Sequence, residues 1–201
     1  MSPHAPGPAH LPDAPASDLE KAPAGYTITT LGPEHVPALH ALETVLFPLD
    51  AWPEQMFREE LAHPEWRRYW GVRTATGELV GYCGAQYSPR LADVQTIGVL
   101  AAHEGHGLGS FLLRLMVERA SAWGATDLLL EVRQDNPRAQ ALYVRHGFET
   151  IHTRKGYYND GTDALIMQRA LGGSDSGRGD VHGDVQGNGH SGPVPAEGEQ
   201  A

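Results

Sequence analysis

The chain has 201 residues, 40% of them hydrophobic and 20% charged, a composition that fits one folded domain with a substantial core. Its formal net charge is −10, but three acids and one base lie in residues 1–25 and five acids and one base in residues 172–201, so the 17 acids and 13 bases between them leave −4. No basic stripe suggests a nucleic-acid groove, no apolar run is long enough to span a bilayer, and a single cysteine, Cys83, excludes a disulfide framework or a cysteine metal cluster.

Residues 1–25 are rich in Pro and Ala with few large apolar groups, and read as a disordered tail. The opening MSPHAPGPAHLPDAPAS has neither a basic start nor an apolar stretch, which points away from a secretory signal and toward a reducing, cytoplasmic setting. From Tyr26, YTITTL alternates as a strand does. Pro33 and Glu34 open a helical pattern through Val36, Leu39, Leu42, Val45 and Leu46, stopped by Pro48. Pro53 suits a first helical position, and Met56, Phe57, Glu60 and Leu61 follow at helical spacing until His63-Pro64. Residues 67–74 and 78–88 read as a hairpin turning at Ala75-Thr76-Gly77, and 91–100 as the next strand.

The rest of the chain is organised around residues 96–110, TIGVLAAHEGHGLGS. A strand runs into glycines at 105, 107 and 109, and Leu108, Phe111, Leu112, Leu115 and Met116 then recur at helical spacing. Glycines at a helix start leave backbone N–H groups uncovered where the helix dipole places positive charge, which suits a phosphate or pyrophosphate. The spacing is neither a Walker loop nor a Rossmann fingerprint, so a turn that merely starts a helix fits equally well on these residues alone. The helix ends at Trp123-Gly124. Residues 126–133, TDLLLEVR, form a strand; Asn136-Pro137 opens a short helix that closes at His146-Gly147; 148–157 and 163–170 form a last hairpin around Asn159-Asp160-Gly161. From Gly172 the chain is a Gly/Ser/Asp-rich tail whose His182 and His190 give no metal-binding pattern. The predicted order is βααβββαβαββ, one α/β domain over residues 26–171 between two disordered tails, 1–25 and 172–201, and deletion of residues 1–20 and 175–201 is expected to leave it folded and active.

The strings GVLAAHEGHGLG, LLLEVRQDNPRAQALYVRHGF and RKGYYNDGTDALIM together resemble the GNAT superfamily of acetyl-CoA-dependent N-acetyltransferases, and within it the RimI-type ribosomal-protein N-alpha-acetyltransferases. The resemblance covers the whole folded portion, including LFPLDAWPEQMFREEL. It implies a mixed, mainly antiparallel twisted sheet, splayed between the fourth and fifth strands, with about four helices. It implies further that Ile97, Gly98 and Val99 pair with the pantetheine arm of acetyl-CoA, with the Val99 N–H polarising the thioester carbonyl. Gly105, His106, Gly107, Leu108, Gly109 and Ser110 would cradle the pyrophosphate, and Asn136 would touch the cofactor arm. Glu131 takes the position of the general base and Tyr143 that of the proton donor.

The chemistry asks for such groups. An alkyl ammonium must lose a proton before its nitrogen attacks a thioester, and the departing thiolate must gain one. Each residue also has an ordinary reading: Glu131 as a strand carboxylate paired with Arg133 or another arginine, Tyr143 as a core aromatic, Asn136 as a helix cap, Cys83 and Trp52 as packed side chains, Tyr157 and Tyr158 as late-strand aromatics. The family's loop commonly carries Gln or Arg where this chain has Glu104, a carboxylate that opposes a pyrophosphate unless it points away. The expected activity is acetyl transfer, in a ternary complex, to the alanine-type N-terminus of a small-subunit ribosomal protein, with no role for nucleic acid, membrane or metal. A small amine as acceptor, or a silent acetyl-CoA-binding module, are the alternatives.

Overall fold

A computed structural model of the chain describes residue 11 and residues 21–172. Seven strands, β1 (Tyr26–Leu31), β2 (Arg67–Thr74), β3 (Leu79–Ser88), β4 (Leu91–Val99), β5 (Asp127–Arg133), β6 (Glu149–Arg154) and β7 (Ala164–Ala170), make one sheet in the order β1-β2-β3-β4-β5-β7-β6. The helices are α1 (Val36–Leu46), α2 (Glu54–Leu61), α3 (Leu108–Ala122) and α4 (Pro137–Arg145), so the element order is the predicted one. Among the described residues, no helix is long and apolar enough to cross a membrane.

Every neighbouring strand pair is antiparallel except β4 and β5. These two run parallel and pair only at Leu91–Asp127, Ala92–Leu128 and Asp93–Leu129. Just beyond the last rung the β3–β4 register shifts, so that Ala85 faces Val94 while Gly84 faces Thr96. The extra residue, Gln95, is a bulge, and a bulge bends its strand and increases the local twist. β4 therefore turns away from β5, and residues 94–99 and 130–133 have no strand partner along their facing edges. The sheet forks there.

The two faces of the sheet are covered differently. In β5 the burial alternates: Leu128, Leu130 and Val132 are buried against Phe111, Leu112, Leu115 and Met116 of α3, while residues 127, 129, 131 and 133 point to the other face. On that other face Leu39 and Leu42 of α1 and Phe57 and Leu61 of α2 pack on Leu31, Tyr69 and Tyr82. This alternation decides on which side of the fork each polar side chain appears.

Three boundaries differ from the sequence reading by more than one residue or in kind. A 3-10 turn, Pro33–His35, precedes α1, and Pro53 stands outside α2 as its extended N-cap, with φ −66° and ψ 152°. The fixed φ of proline suits either position, and only ψ separates them. β6 stops at Arg154, because the Asp163 carboxylate accepts from the Gly156 N–H at 2.9 Å and the Lys155 ammonium at 2.5 Å and turns the chain.

The expected tails, apart from Leu11 and residues 21–25 and 172, lie outside the described residues. Leu11 is only 1% exposed, belongs to the core on the α3 face, and its carbonyl accepts a hydrogen bond from Arg68 at 3.3 Å. Deletion of residues 1–20 therefore removes a core side chain. Leu11→Ala is expected to cost about 3 kcal/mol of stability in a denaturant titration, the usual scale for a buried leucine, with kcat unchanged.

Candidate active site

Six consecutive amides, from Gly105 to Ser110, donate to no acceptor among the described residues; the first amide bonded back is Phe111, to the Gly107 carbonyl at 2.9 Å. Gly105 and Gly107 hold φ of +79° and +77°, and a Cβ at either would meet nothing within 4 Å. Gly107 is the left-handed N-cap of α3, a conformation that only glycine adopts without strain. Leu108 is buried in the core and anchors the helix start, leaving its N–H on the open side. A run of free amides at the dipole-positive end of a 15-residue helix has the donor chemistry that an anion needs.

Two side chains of this loop answer questions the sequence raised. The Glu104 carboxylate is engaged by Arg138 Nη1 from α4, so its charge is matched by a cation rather than left facing the cradle. The His106 ring turns back, its Nδ1 donating to the His103 and Glu104 carbonyls at 3.2 and 3.0 Å, and packs against Tyr26. Because the Glu104–Arg138 pair is solvated, its coupling is modest and salt-dependent. Glu104→Gln is expected to tighten an anionic ligand several-fold and Arg138→Ala to weaken it by a similar factor, measured by calorimetry at low ionic strength.

The cradle opens toward the fork. Ile97 and Val99 pack their side chains on the core of the α3 face, which leaves their backbone to line the cleft. A Cβ on Gly98 would lie 2.7 Å from Leu46 Cδ1 and 3.2 Å from Phe47, so this glycine allows the end of α1 to approach β4. Asn136 caps α4, its Oδ1 accepting from the Ala139 N–H at 3.0 Å.

Glu131 stands on the α1–α2 face of β5, just past the last rung shared with β4. Its Oε1 accepts from Arg154 Nη1 of β6 at 2.7 Å. Tyr143 emerges on the opposite face. It is 6% exposed, its ring lies 6.0 Å from that of Phe148, and burial pushes its phenol up to about 12. At neutral pH it is a proton-bearing group. The structure thus puts Glu131 and Tyr143 on opposite faces of the sheet, not on one pocket wall.

Sequence reasoning missed several polar groups around this fork. Asp93, on the last β4 rung, shares a face with Glu131; burial and the Glu131 charge push its carboxyl up to about 6. Arg133 gathers the mouth: it donates to Asp50 at 3.1 Å, to Asp135 through two bonds of 3.0 Å, to Asp160 at 2.5 Å and to Thr162 at 3.0 Å, and lies 4.6 Å from the Tyr158 ring centre. That ties the α1–α2 connection to the β6–β7 turn, and Arg133 holds the Asp160 carboxyl down at about 2. Behind it, buried Glu43 accepts from the Trp52 N–H at 3.1 Å and from the Tyr82 hydroxyl, whose oxygen lies 3.1 Å from Thr96 Oγ1. Alternation of polar and apolar residues is the only signal the sequence offers for these groups, and it does not distinguish a site from a solvated edge. Cys83 is fully buried, and desolvation pushes its thiol far above the ordinary range, so it is an unreactive core group.

Residues 36–148 match the Acetyltransferase (GNAT) family. The chain belongs to this family. It is 41% identical over 128 residues to the N-alpha-acetyltransferase RimI of Mycobacterium tuberculosis, a match covering 61% of this chain and 78% of that protein. It is 32% identical over 147 residues to the [ribosomal protein bS18]-alanine N-acetyltransferase of Escherichia coli, covering 70% of this chain and 95% of that one. The crystal structure of the ribosomal-protein-S18-alanine N-acetyltransferase from Escherichia coli superposes with a TM-score of 0.68 at 28% identity, covering 75% of this chain and 96% of that one. GNAT enzymes draw their acetyl group from acetyl-CoA. The free amides of residues 105–110 and the unpaired edge of β4 have the donor chemistry to accept a pyrophosphate and an amide-bearing arm.

Proposed function

We propose that this GNAT acetyltransferase transfers the acetyl group to the N-terminal amine of a ribosomal protein, of the alanine type and from the small subunit, in the cytoplasm. The observation that supports the reading is that Glu131 and Tyr143 lie on opposite faces of the sheet whose β4 and β5 strands part. With the thioester held in the plane of the sheet, an amine approaches from the Glu131 face while the sulfur is protonated from the Tyr143 face. Opposed faces suit direct transfer in a ternary complex, with no acyl-enzyme stage.

The residues divide the work as follows. The amides of 105–110 hold the pyrophosphate, the backbone of Ile97, Gly98 and Val99 aligns the arm, and Asn136 borders it. The Val99 N–H stabilises charge growing on the acyl oxygen. Glu131 receives the acceptor ammonium and takes a proton from it, directly or through a water. Tyr143, kept protonated by burial, delivers a proton to the thiolate. Binding both partners in register supplies much of the acceleration. The Asp50 and Tyr158 segments, joined through Arg133, form two walls between which an N-terminus enters end-on.

A panel of peptides with acetyl-CoA tests the reading. Peptides with a free alanine N-terminus are expected to be acetylated on the α-amine, and the same peptides blocked at the N-terminus but carrying an internal lysine are not. Preferential modification of the lysine, or of a polyamine or aminoglycoside, overturns it.

A further inference from the structure

We infer that Thr96 is a contact for the acceptor ammonium, and that buried Glu43, acting through Tyr82, turns the Thr96 hydroxyl so that it accepts from that ammonium. The inference rests on the reading that the amine approaches from the Glu131 face, and names a further group that receives it there.

The placement comes from the register. Asp93 pairs with Leu129 on the last β4–β5 rung and with Gln86 of β3 on its other side. One step on, Val94 pairs with Ala85 and stands level with Leu130. The next β3 residue, Gly84, pairs with Thr96, because Gln95 is the bulged residue. Thr96 is therefore level with Glu131, on the other lip of the fork. Gly84 also pairs with Tyr69, a core residue of the α1–α2 face, and directly paired residues share a face. Thr96 thus lies on the face of Glu131. A bulge re-aims side chains in this way, and here it sets a hydroxyl across the gap from the carboxylate.

Behind Thr96 the hydrogen bonds run in one direction. Glu43 of α1 is only 2% exposed, and its carboxylate accepts from the Trp52 N–H at 3.1 Å and from the Tyr82 hydroxyl. Burial raises the Glu43 carboxyl, and those two donors, with His40, oppose the rise. Burial and the Glu43 charge hold the Tyr82 phenol far above its ordinary range, so it keeps its proton. A phenol has one hydrogen, and this one is committed to Glu43. The Tyr82 oxygen, 3.1 Å from Thr96 Oγ1, is therefore the acceptor of that bond and Thr96 its donor. With its hydrogen turned inward, the half-buried Thr96 hydroxyl has only lone pairs left, and it makes no other bond among the described residues.

An ammonium only donates, so a hydroxyl fixed as an acceptor suits it. A freely turning threonine would present its hydrogen for part of the time, which opposes a cation. Fixing the rotor from its buried side also removes an ordering cost at binding. The same carboxylate holds the Trp52 backbone, so the α1–α2 connection and the β4 lip are set together.

The test is steady-state kinetics with the amine that the peptide panel identifies. Thr96→Val keeps the shape and leaves the Tyr82–Glu43 bond in place, but removes the acceptor. It is expected to raise the acceptor's KM about 10-fold, the scale of one hydrogen bond to a charged group, with the acetyl-CoA dissociation constant unchanged in calorimetry. Thr96→Ser is expected to recover most of that loss. Glu43→Gln reverses the chain: its amide oxygen stays with the Trp52 N–H, its NH2 donates to Tyr82, Tyr82 donates to Thr96, and the Thr96 hydrogen turns outward. The acceptor's KM is again expected to rise about 10-fold. In the Thr96→Val background, Glu43→Gln is expected to add nothing to it, because its effect passes through the hydroxyl. A parent-like acceptor KM in folded Thr96→Val, or losses from the two substitutions that simply add, overturns the inference. Thr96→Val is close to isosteric at a half-buried position, and decides the outcome by itself should Glu43→Gln not fold. Failure of the N-terminal reading is a separate result, seen in the unaltered enzyme's choice of amine.

Discussion

Replacing Glu131 by Gln is expected to lower kcat by ~100-fold, the common scale for loss of an acid–base group, with the Michaelis constant for acetyl-CoA little changed. Gln is the informative choice because its amide oxygen still accepts from Arg154, so the 2.7 Å contact between β5 and β6 survives while the charge does not. Glu131→Ala, by contrast, leaves the Arg154 guanidinium without its partner and mixes a structural loss with a chemical one. Steady-state rates from pH 5 to 9 check this, and a Glu131→Gln enzyme with the parent's rate and profile removes the residue from the chemistry.

Gly107→Val is expected to raise the dissociation constant for acetyl-CoA by about 10- to 100-fold. A β-branched residue at φ +77° carries strain of roughly 1–3 kcal/mol, and the loop relieves it by leaving the conformation that keeps the six amides free. Binding must then restore the strained loop, which lowers apparent affinity by the fraction of molecules still competent. Gly161→Val supplies the control. Gly161 has φ +82° but sits in the β6–β7 connection, so the same strain there is expected to leave acetyl-CoA affinity unchanged in calorimetry.

Local signals in the chain were enough for the elements and for the backbone conformation of the loop before α3. The glycines at 105 and 107 require left-handed backbone, the apolar residues from Leu108 to Met116 repeat at helical spacing, and both properties are contained within a dozen residues. The fork was legible only through family resemblance. Its physical cause is a bulge at Gln95 set by pairing with Gly84, and nothing in LADVQTIGV by itself marks an extra residue. The partner of Glu131 was not legible either. Arg133, two residues along the same strand, is the nearest arginine in sequence, yet it turns to three aspartates while Arg154, brought in from β6 across β7, takes Glu131. That pairing depends on β7 lying between β5 and β6, which no single segment encodes. Leu11 failed in the opposite sense: one leucine in a Pro/Ala-rich stretch carries no periodicity, and only the space it fills on the α3 face reveals it.

A crystal structure with a bisubstrate compound, in which coenzyme A is joined to the α-nitrogen of an alanine-initiated peptide, tests the central claim most directly. The expected result is the pyrophosphate on the amides of residues 105–110, the acyl linker in the gap between β4 and β5, and the α-nitrogen on the face of Glu131 and Asp93 with the sulfur toward Tyr143. A compound bound with its peptide on the Tyr143 face, or with its phosphates away from Gly105 and Gly107, contradicts it.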